Sequence, residues 1–553
     1  MELFRSQRLT SIRRLPQFNQ LLFPLVLFEQ LPPPPRPARL LPKPHVHHMP
    51  AVRAPQVRRR ARPLPLLRER GTAGEPVGIK AIPSRKDSCD VGPYPLIFSS
   101  MLKRFRTYDL NQVYLLPPSL HDWLPEDHLA RFVAAVTGEL DLSAIESAYE
   151  RNDGRGKPAY HPLLLVRLLV YGYAIGMRSS RQIEKATYTD LAFRYLAAGQ
   201  HPDHDTIAAF RQTHLAALGQ LFLQTLRLCQ KAGLIKLGTI ALDGTKIAAN
   251  ASRQRSRCYE RLMEKEQELA ATVEKLLAEA QATDQQEEAR YGAGRRGDEL
   301  PAGLATAERQ LARIRAAKQE LEREARQRAE QAAREKAGQN GKARDEAQRK
   351  RWQRARATPD AEAKGNLTDP DSRLMVDGST KAYVQGYNAQ VAVDGEAGVI
   401  VACAVTQQTN DKQQLAPLVE AVENNMGARP DQVLADAGYW NEERVAEQVE
   451  RGVDVLVPPD AERRKAEEPL AANAPRGPQA TAMRERLRDE EELKKYRKRA
   501  GIVEPVFGFI KEQKQFRRFK LRGIGKVQAE WSFLCATLNL WKMFRRGYEP
   551  QTA

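Results

Sequence analysis

Cysteine is scarce in this sequence, and the cysteines that are present form no pairing pattern. The chain has 553 residues and five cysteines. They are scattered along the chain, without a C-x-x-C motif: Cys89, Cys229, Cys258, Cys403 and Cys535. This distribution argues against a zinc module or a disulfide-stabilised scaffold, and it fits a protein of a reducing cytoplasm.

Long apolar runs are also missing. The apolar segment Leu21–Phe28 is interrupted by Pro24, and it is far shorter than the roughly 20 residues that a membrane-spanning helix requires. No small-residue cleavage site follows it, as a secretory signal would require. The sequence therefore predicts neither a membrane protein nor a secreted one.

Acidic residues are outnumbered by basic ones. The chain has 88 Lys and Arg residues against 69 Asp and Glu residues, a formal net charge of +19 and a pI near 9.7. Such a balance favours a polyanionic partner, with nucleic acid the first candidate. A requirement for solubility or an acidic protein partner is the alternative. The length leaves room for several domains of about 100–200 residues each.

Residues 1–100 differ in composition from the rest. They are rich in proline and arginine, as in Leu31–Arg36 and Arg58–Arg60, and such a stretch cannot readily bury a core. We expect a disordered extension, or a start codon assigned too early, with Met101 as the true beginning.

Residues 101–232 are predicted to form a helical domain. Pro162–Ile175 is an apolar helix, Ser179 or Ser180 can cap the next helix, and Asp203 or Asp205 can cap a third.

Three arginines lie near the ends of these short helices: Arg178, Arg181 and Arg211. Short helices with tight turns and terminal arginines suit a helix-turn-helix DNA-binding domain. An ordinary helical bundle is an equally good interpretation of this segment alone.

Residues 255–355 form an insertion with its own composition. Tyr259–Gln281 and Thr306–Lys336 are rich in charged residues and carry leucines at helical spacing. The Gly-rich segment 291–297 separates them, which predicts an antiparallel helical hairpin. Solvated faces are the simplest interpretation, and a DNA-contacting or dimerising arm is the alternative.

The following region, up to about residue 460, predicts a mixed α/β sheet. Gly386–Asp394 and Val399–Val405 read as a β-hairpin. A helix at Gln413–Asn424, a short strand ending at Asp436 and a further helix and strand follow. This order is typical of ribonuclease-H-like nucleases.

Three acidic residues stand where a metal-dependent nuclease needs carboxylates. Asp243 ends the apolar run Leu237–Asp243, Asp436 ends a second apolar run, and Glu504 lies in a largely apolar, helical stretch. Two aspartates at strand ends and a helical glutamate could converge on a pair of divalent cations. Taken singly, either aspartate could instead be a turn residue, and Glu504 before Pro505 could be a first-turn carboxylate of a helix.

Other residues near these sites have open roles. Asp394 precedes a glycine at a hairpin tip and is expected to be structural, while Asp369 has no predicted mechanical role. Tyr439 and Trp440 follow Asp436, and they could stack on a DNA base or pack against the sheet.

Motifs in a fixed order carry a resemblance to a known family. They are Phe105–Asp109, Leu115–Leu120, Asp243–Thr245, Asn366–Arg373, Val384–Gln390, Asp436–Tyr439 and Val503–Gly508. Together they resemble bacterial insertion-sequence transposases of the DDE type, with an InsH-like N-terminal domain and a ribonuclease-H-like catalytic core.

The resemblance extends to the family signature Y-x2-R-x3-E-x6-K. Tyr496, Arg499, Glu504 and Lys511 match its four residues, although the gap between Arg499 and Glu504 is one residue longer than the pattern. The resemblance implies that the signature lysine or arginine contacts DNA phosphate, and Tyr496 is expected to bind DNA with them. Lys514, which lies beside Glu504 in the sequence as Lys511 does, is expected to bind the cleavage site.

The resemblance implies an enzyme, with Asp243, Asp436 and Glu504 as catalytic residues and ligands of Mg²⁺ or Mn²⁺, as two ions. It would cleave the insertion-sequence ends and transfer the freed strand into target DNA. The implied partners are terminal inverted repeats and target DNA, bound by a homodimer associated with the bacterial nucleoid. The catalytic domain would span residues 233–545. A nuclease without strand transfer, or a non-catalytic DNA-binding protein, is the alternative.

Overall fold

The computed structural model describes residues 108, 119–150, 158–291, 303–339, 357–378, 380–460 and 477–550. The proposed extension at residues 1–100, the motif Phe105–Asp109 apart from Tyr108, and the predicted turn at 292–297 lie outside the described residues. Everything described belongs to one compact unit, Leu96–Ala553.

The first part of this unit is helical. Eight helices follow one another: α1 (Leu120–Trp123), α2 (Leu129–Val136), α3 (Ser143–Glu150), α4 (Pro162–Ile175), α5 (Ser180–Thr189), α6 (Leu191–Leu196), α7 (His204–Thr213) and α8 (Leu215–Lys231). The predicted boundaries of α4 are confirmed. Its first residue is a proline, and it ends at Gly176 with φ of +88°, a conformation that glycine adopts readily. Asp203 caps α7 by accepting a hydrogen bond from the Thr206 N–H.

The turn between α4 and α5 has helix-turn-helix geometry. The two helices meet at 100° across the four residues 176–179, within the range of that motif. Almost every residue of α4 is buried, whereas α5 exposes Arg181, Gln182 and Lys185. Only α5 of this pair therefore offers a polar face to a partner.

A mixed sheet follows the helices. Its strands are β1 (Thr239–Ala248), β4 (Arg373–Val376), β5 (Tyr383–Asp394), β6 (Ile400–Thr406), β7 (Gln432–Leu434) and β8 (Asp454–Leu456). Across the sheet the order is β6-β5-β1-β7-β8, and β4 pairs with the first residues of β5. The pairs β6-β5 and β5-β1 are antiparallel, while β7 and β8 run parallel to β1. This is the predicted mixed α/β fold, consistent with a ribonuclease-H-like core.

The insertion between β1 and β4 is a helical hairpin. It contains β2 (Ser256–Cys258), α9 (Tyr259–Tyr291), α10 (Leu304–Gln339) and β3 (Lys364–Asn366), with β2 and β3 paired antiparallel at its base. Apolar side chains between the helices, including Leu262, Ile314 and Leu321, form a small core of their own. The predicted helical pair is thus present.

The remaining helices complete the unit. They are α11 (Leu415–Met426), α12 (Glu442–Glu450), α13 (Pro478–Arg486), α14 (Glu490–Gly508), which continues as a π-helix over Phe509–Gln513, and α15 (Ile524–Arg545). Most of α15 is buried. Its Asn539 hydrogen-bonds the backbone of Ile400 in β6, and its Phe533 packs on Tyr173 of α4. The N-terminal helices and the sheet therefore share one hydrophobic core.

In the described part of the chain, no single helix is long and apolar enough to cross a membrane. The bent pair of α4 and α5 passes by length and composition, and α4 is a buried core helix.

Candidate active site

Asp243 and Asp436 are brought together by the pairing of β1 with β7. These parallel strands pair over three residues, ending at Ala241 opposite Leu434. Asp243 and Asp436 each follow that last pair by two residues, so they lie at the same level of the sheet. The expectation that Asp243 ends its strand is wrong, because β1 continues to Ala248 against β5. Asp243 nevertheless lies where β7 stops covering β1, which leaves room for its side chain.

Both carboxylates are difficult to ionise. Burial, followed by repulsion from Asp436, raises the pKa of Asp243 to about 6, although the Gly244 N–H and Arg499 favour its charged form. Burial also raises the pKa of Asp436, with Arg499 opposing and Asp411 adding repulsion. The backbone N–H of Gly438 donates to Asp436 Oδ1 at 3.0 Å, and that of Gly244 donates to Asp243 Oδ1 at 2.8 Å. The site therefore contains two partly buried carboxylates with raised pKa values, and a backbone N–H orients each of them.

Arg499 is the basic residue beside this pair. Its Nη1 lies 3.6 Å from Asp243 Oδ2, and it also hydrogen-bonds the buried Tyr496. Tyr496 and Arg499, two residues of the family signature on α14, thus lie beside the aspartate pair, with Arg499 contacting Asp243 and Tyr496 supporting Arg499. A direct contact of Tyr496 with DNA is not compatible with its burial.

Asp411 is a further carboxylate of the site that the sequence analysis missed. It lies in the loop between β6 and α11, and accepts hydrogen bonds from Asn388 Nδ2 at 2.5 Å and Gln390 Nε2 at 2.6 Å. Lys246 Nζ lies 3.6 Å from it. Its charge contributes to the raised pKa of both Asp243 and Asp436. A weak signal existed, because Asp411 lies in the short loop that follows the apolar strand β6.

Glu504 is not part of this cluster in the structure. It is exposed on α14, five residues after Arg499, which corresponds to about 140° around a helix. The buried face of α14 carries Tyr496, Val503 and Val506. Since α14 begins at Glu490, Glu504 is deep inside the helix, and its interpretation as a first-turn carboxylate is wrong.

The aspartate pair suits a divalent cation in part. Its donors are carboxylate oxygens, which Mg²⁺ and Mn²⁺ prefer. Repulsion among the neighbouring carboxylates, from Asp436 and Asp411 at Asp243 and from Asp411 at Asp436, would be relieved by a bound cation. Among the described residues, no three His, Cys, Asp or Glu side chains are arranged to surround a metal ion. Asp243 and Asp436 would hold the cation, and a third protein ligand is not in place.

Besides Tyr496, three basic residues that were predicted to bind DNA are buried. Arg178 donates to the carbonyls of Gln515, at 2.9 Å, and Arg518, at 3.1 Å. Arg211 donates to the carbonyl of Arg178 at 2.9 Å. Lys514 lies over the rings of Phe509 and Trp541. The prediction that these three meet DNA needs correction, because all three side chains are buried. Arg178 holds the loop after α14 against the helical region, Arg211 supports the backbone of Arg178, and Lys514 packs on aromatic rings.

Two predicted DNA-binding residues remain accessible. Arg181 is exposed in the first turn of α5, and Lys511 is half-buried in the π-helix that follows α14. Both can reach a polyanion without unfolding any element.

Burial and hydrogen bonds indicate the roles of Asp394, Asp369 and Tyr439. Asp394 accepts the backbone N–H groups of Leu237 and Glu396, at 2.9 and 3.0 Å, so its structural role is supported. Asp369 is fully buried and accepts hydrogen bonds from the Tyr387 hydroxyl and the Gly523 N–H. Tyr439 is also fully buried, and its hydroxyl donates to Gln390.

Trp440 is 6% exposed, so of the two interpretations for Tyr439 and Trp440 the structure favours packing against the sheet.

Comparison with protein families identifies the chain. A transposase DDE domain matches residues 357–540, and a further transposase domain, of otherwise uncharacterised role, matches residues 118–213. The chain belongs to the insertion-sequence DDE transposases. It is a DNA-cleaving enzyme whose function is transposition and whose substrate is DNA. No significant match was found among curated proteins or among solved structures.

The two matched segments cover about half of this transposase. The DDE match includes Asp436 and Glu504, and it begins after Asp243 and after both helices of the hairpin. The other match covers the helices from α1 to α7. Asp243 is therefore assigned to the site by its geometry beside Asp436.

Proposed function

We propose that this transposase cleaves DNA at the ends of its insertion sequence and joins the freed 3′-hydroxyl to target DNA at the aspartate pair. The observation that carries the proposal is the position of Asp243 and Asp436, side by side where β7 ends against β1. Burial raises the pKa of both carboxylates, and repulsion adds to it, from Asp436 at Asp243 and from Asp411 at Asp436, so the site favours a bound cation.

Mg²⁺ or Mn²⁺ is the proposed cofactor, with two ions as the working number and Glu504 as the further predicted ligand. When bound, such a cation supplies neutralisation of the charge on a transferring phosphoryl group and acidifies a water molecule. Asp243 and Asp436 would bind it through their oxygens. Their orientation is supported by the Gly244 and Gly438 N–H groups, each of which donates to one carboxylate oxygen.

Arg499 has a proposed positioning role. It holds the Asp243 carboxylate from one side at 3.6 Å, and its positive charge favours the ionised form of both aspartates. Replacing Arg499 should therefore weaken cation binding as well as chemistry.

DNA binding is proposed to begin at two separate surfaces. Arg181 lies on the exposed face of α5, the second helix of the 100° helix-turn-helix pair, where it could meet a groove or its phosphates. Lys511 follows α14 and would contact phosphates near the cleavage site. A homodimer on DNA is also proposed, because each of two insertion-sequence ends needs a site.

A gel assay that separates cleavage products from strand-transfer products tests the proposal. The substrate is a duplex that carries the inverted repeat flanking the coding sequence, with Mg²⁺ or Mn²⁺ present. Both product classes are expected from the wild type, and neither from Asp243→Ala or Asp436→Ala, while DNA binding persists. Cleavage without joined products would leave the nuclease alternative, and binding without cleavage would leave a DNA-binding protein.

A further inference from the structure

A strongly basic cleft lies outside the aspartate site. It has a volume of about 870 Å³. Its arginines come from three parts of the chain: Arg253 and Arg255 after β1, Arg313 on α10, and Arg518 and Arg522 after α14. All five are exposed. We call this surface the arginine cleft.

The arginine cleft carries positive charge without a close ion pair in the described part of the chain, and Arg522 favours the charged form of Asp369. No carboxylate among the residues that the structure describes lies within 4.0 Å of these five guanidinium groups. Arg518 and Arg522 each donate one hydrogen bond to a backbone carbonyl, those of Ala249 and Asn250. These bonds orient the two side chains and leave other N–H groups for a ligand, since a guanidinium has five.

The helical hairpin holds Arg313 in a defined place. Arg373 of β4 forms ion pairs with Glu320 and Glu324 of α10, at 3.2 and 2.7 Å, and all three side chains are largely buried. Gln407, just after β6, also donates to Glu320 at 2.9 Å. The middle of α10 is therefore bound to the sheet, about two turns from Arg313, so the helix that carries Arg313 is held beside the cleft.

The cleft and the aspartate pair are connected by one strand. Ala248 lines the cleft, and it follows Asp243 by five residues along β1. At about 3.3 Å per residue this is roughly 17 Å. In B-DNA, with about 3.4 Å per base pair along each strand, it corresponds to roughly five base pairs.

We propose that the arginine cleft binds the phosphate backbone of the DNA duplex about five base pairs from the phosphate cleaved at the aspartate pair. This inference rests on the proposed function for the location of that phosphate. Arginines recognise phosphate through paired N–H donors, and such contacts fix the position of DNA without reading its sequence. The hairpin would thus contribute Arg313 to substrate binding, in line with the alternative of a DNA-contacting arm rather than with fully solvated faces.

Salt dependence of DNA binding tests the cleft separately from chemistry. Fluorescence anisotropy of a labelled random-sequence duplex gives Kd as a function of salt for the wild type, Arg255→Ala and Arg313→Ala. Each variant should bind more weakly, and the slope of log K against log salt should become shallower by about one, because one phosphate contact is lost. Arg313→Lys should largely restore the slope.

Arg326→Ala is the matched control. It removes the same charge from the same helix, about 20 Å further along α10, and Arg326 is 63% exposed and paired with Glu322. Its slope should equal that of the wild type. An unchanged slope in both Arg255→Ala and Arg313→Ala, or an equal loss in Arg326→Ala, would overturn the proposal.

A modified substrate locates the contact. Neutral methylphosphonates, placed one at a time along an insertion-sequence end, should weaken wild-type binding about five base pairs from the cleaved bond, and should have no further effect on Arg313→Ala. Sensitivity confined to other positions would refute the location. If the wild type binds through the cleft but never cleaves, the cleft stands and the proposed function fails. If the wild type cleaves normally and the cleft variants bind DNA as tightly as the wild type, the proposed function stands and the proposal for the arginine cleft fails.

Discussion

Arg499 and Asp243 form an ion pair, with Nη1 and Oδ2 3.6 Å apart, that fixes which side of α14 faces the sheet. Tyr496 shares that side, whereas Glu504 points to solvent about 140° away. The extra residue between Arg499 and Glu504 places Val503, a fully buried residue, where the family spacing expects the glutamate. For Glu504 to join the aspartates, α14 would have to turn about its axis or unwind locally when DNA and cation bind.

The role of Glu504 is testable on that basis. Glu504→Ala should abolish cleavage while leaving DNA binding and the melting temperature close to wild type, since the exposed side chain has little to lose structurally. Glu491→Ala, in the exposed first turn of the same helix, is the control and should cleave normally. Near-normal cleavage by Glu504→Ala would remove Glu504 from the site and direct attention to Asp411.

The partly buried, ionised carboxylate of Asp243 should lower the free energy of unfolding of the protein. Its pKa is raised from 3.8 to about 6, so Asp243→Asn should increase the free energy of unfolding at pH 7 by about 3 kcal/mol. Chemical denaturation measures the change. Asp394→Asn is the matched control on the same sheet: it should destabilise by about 1–3 kcal/mol, because its carboxylate accepts three backbone N–H groups. Destabilisation by Asp243→Asn would contradict the argument.

The same shift has a defined pH dependence. Between pH 4 and 6 the folded protein keeps a proton on Asp243 that the unfolded chain has released. The contribution of Asp243 to stability is therefore greatest below pH 4, falls as pH rises through about 6, and is then constant. The stability difference between Asp243→Asn and wild type should widen across this interval. A difference independent of pH would mean that Asp243 titrates normally.

A divalent cation should stabilise the folded protein through the same pair. Mg²⁺ at 100 times its Kd would add about 2.7 kcal/mol, which appears as a rise in melting temperature relative to a matched ionic strength of NaCl. Asp243→Asn and Asp436→Asn should lose this rise. Ca²⁺ should bind and stabilise but support little cleavage, because its coordination is looser. An equal rise in the variants would place cation binding elsewhere.

Arg178 and Arg181 should behave oppositely although they are three residues apart. Arg178→Ala removes two hydrogen bonds to backbone carbonyls, so it should lower the free energy of unfolding by about 2–3 kcal/mol without changing the salt slope of DNA binding. Arg181→Ala should leave stability unchanged and make the slope shallower by about one. A reversed pattern would restore Arg178 as the DNA contact.

Element positions were predictable because they depend on local pattern. The apolar run of α4 is bounded by a proline and a glycine, and both of its ends are confirmed. The hairpin of β5 and β6 is confirmed as well, because alternating side chains and a glycine turn determine it. Asp243 and Asp436 lie at the same level of the sheet because β7 runs parallel to β1, although β1 itself continues past Asp243.

Whether each basic residue is buried or accessible to DNA could not be predicted from the local sequence pattern. Arg178 is buried by a loop more than 330 residues later in the chain, and Lys514 is buried by aromatic rings of α14 and α15. Near a helix end, an arginine that contacts DNA and one that braces the backbone look alike in sequence. The exposure of Glu504 depends in turn on the rotation of α14, which the Arg499 ion pair determines.

The packing of α15 against α8 and the sheet has a consequence for synthesis. About 290 residues separate the end of α8 from the start of α15. At about 5–20 residues per second, a ribosome needs roughly 15–60 s to make them. During that interval the apolar surfaces of α4 and α8 lack the helix that covers them, so nascent chains should depend on chaperones, and chains terminated before α15 should aggregate rather than bind DNA.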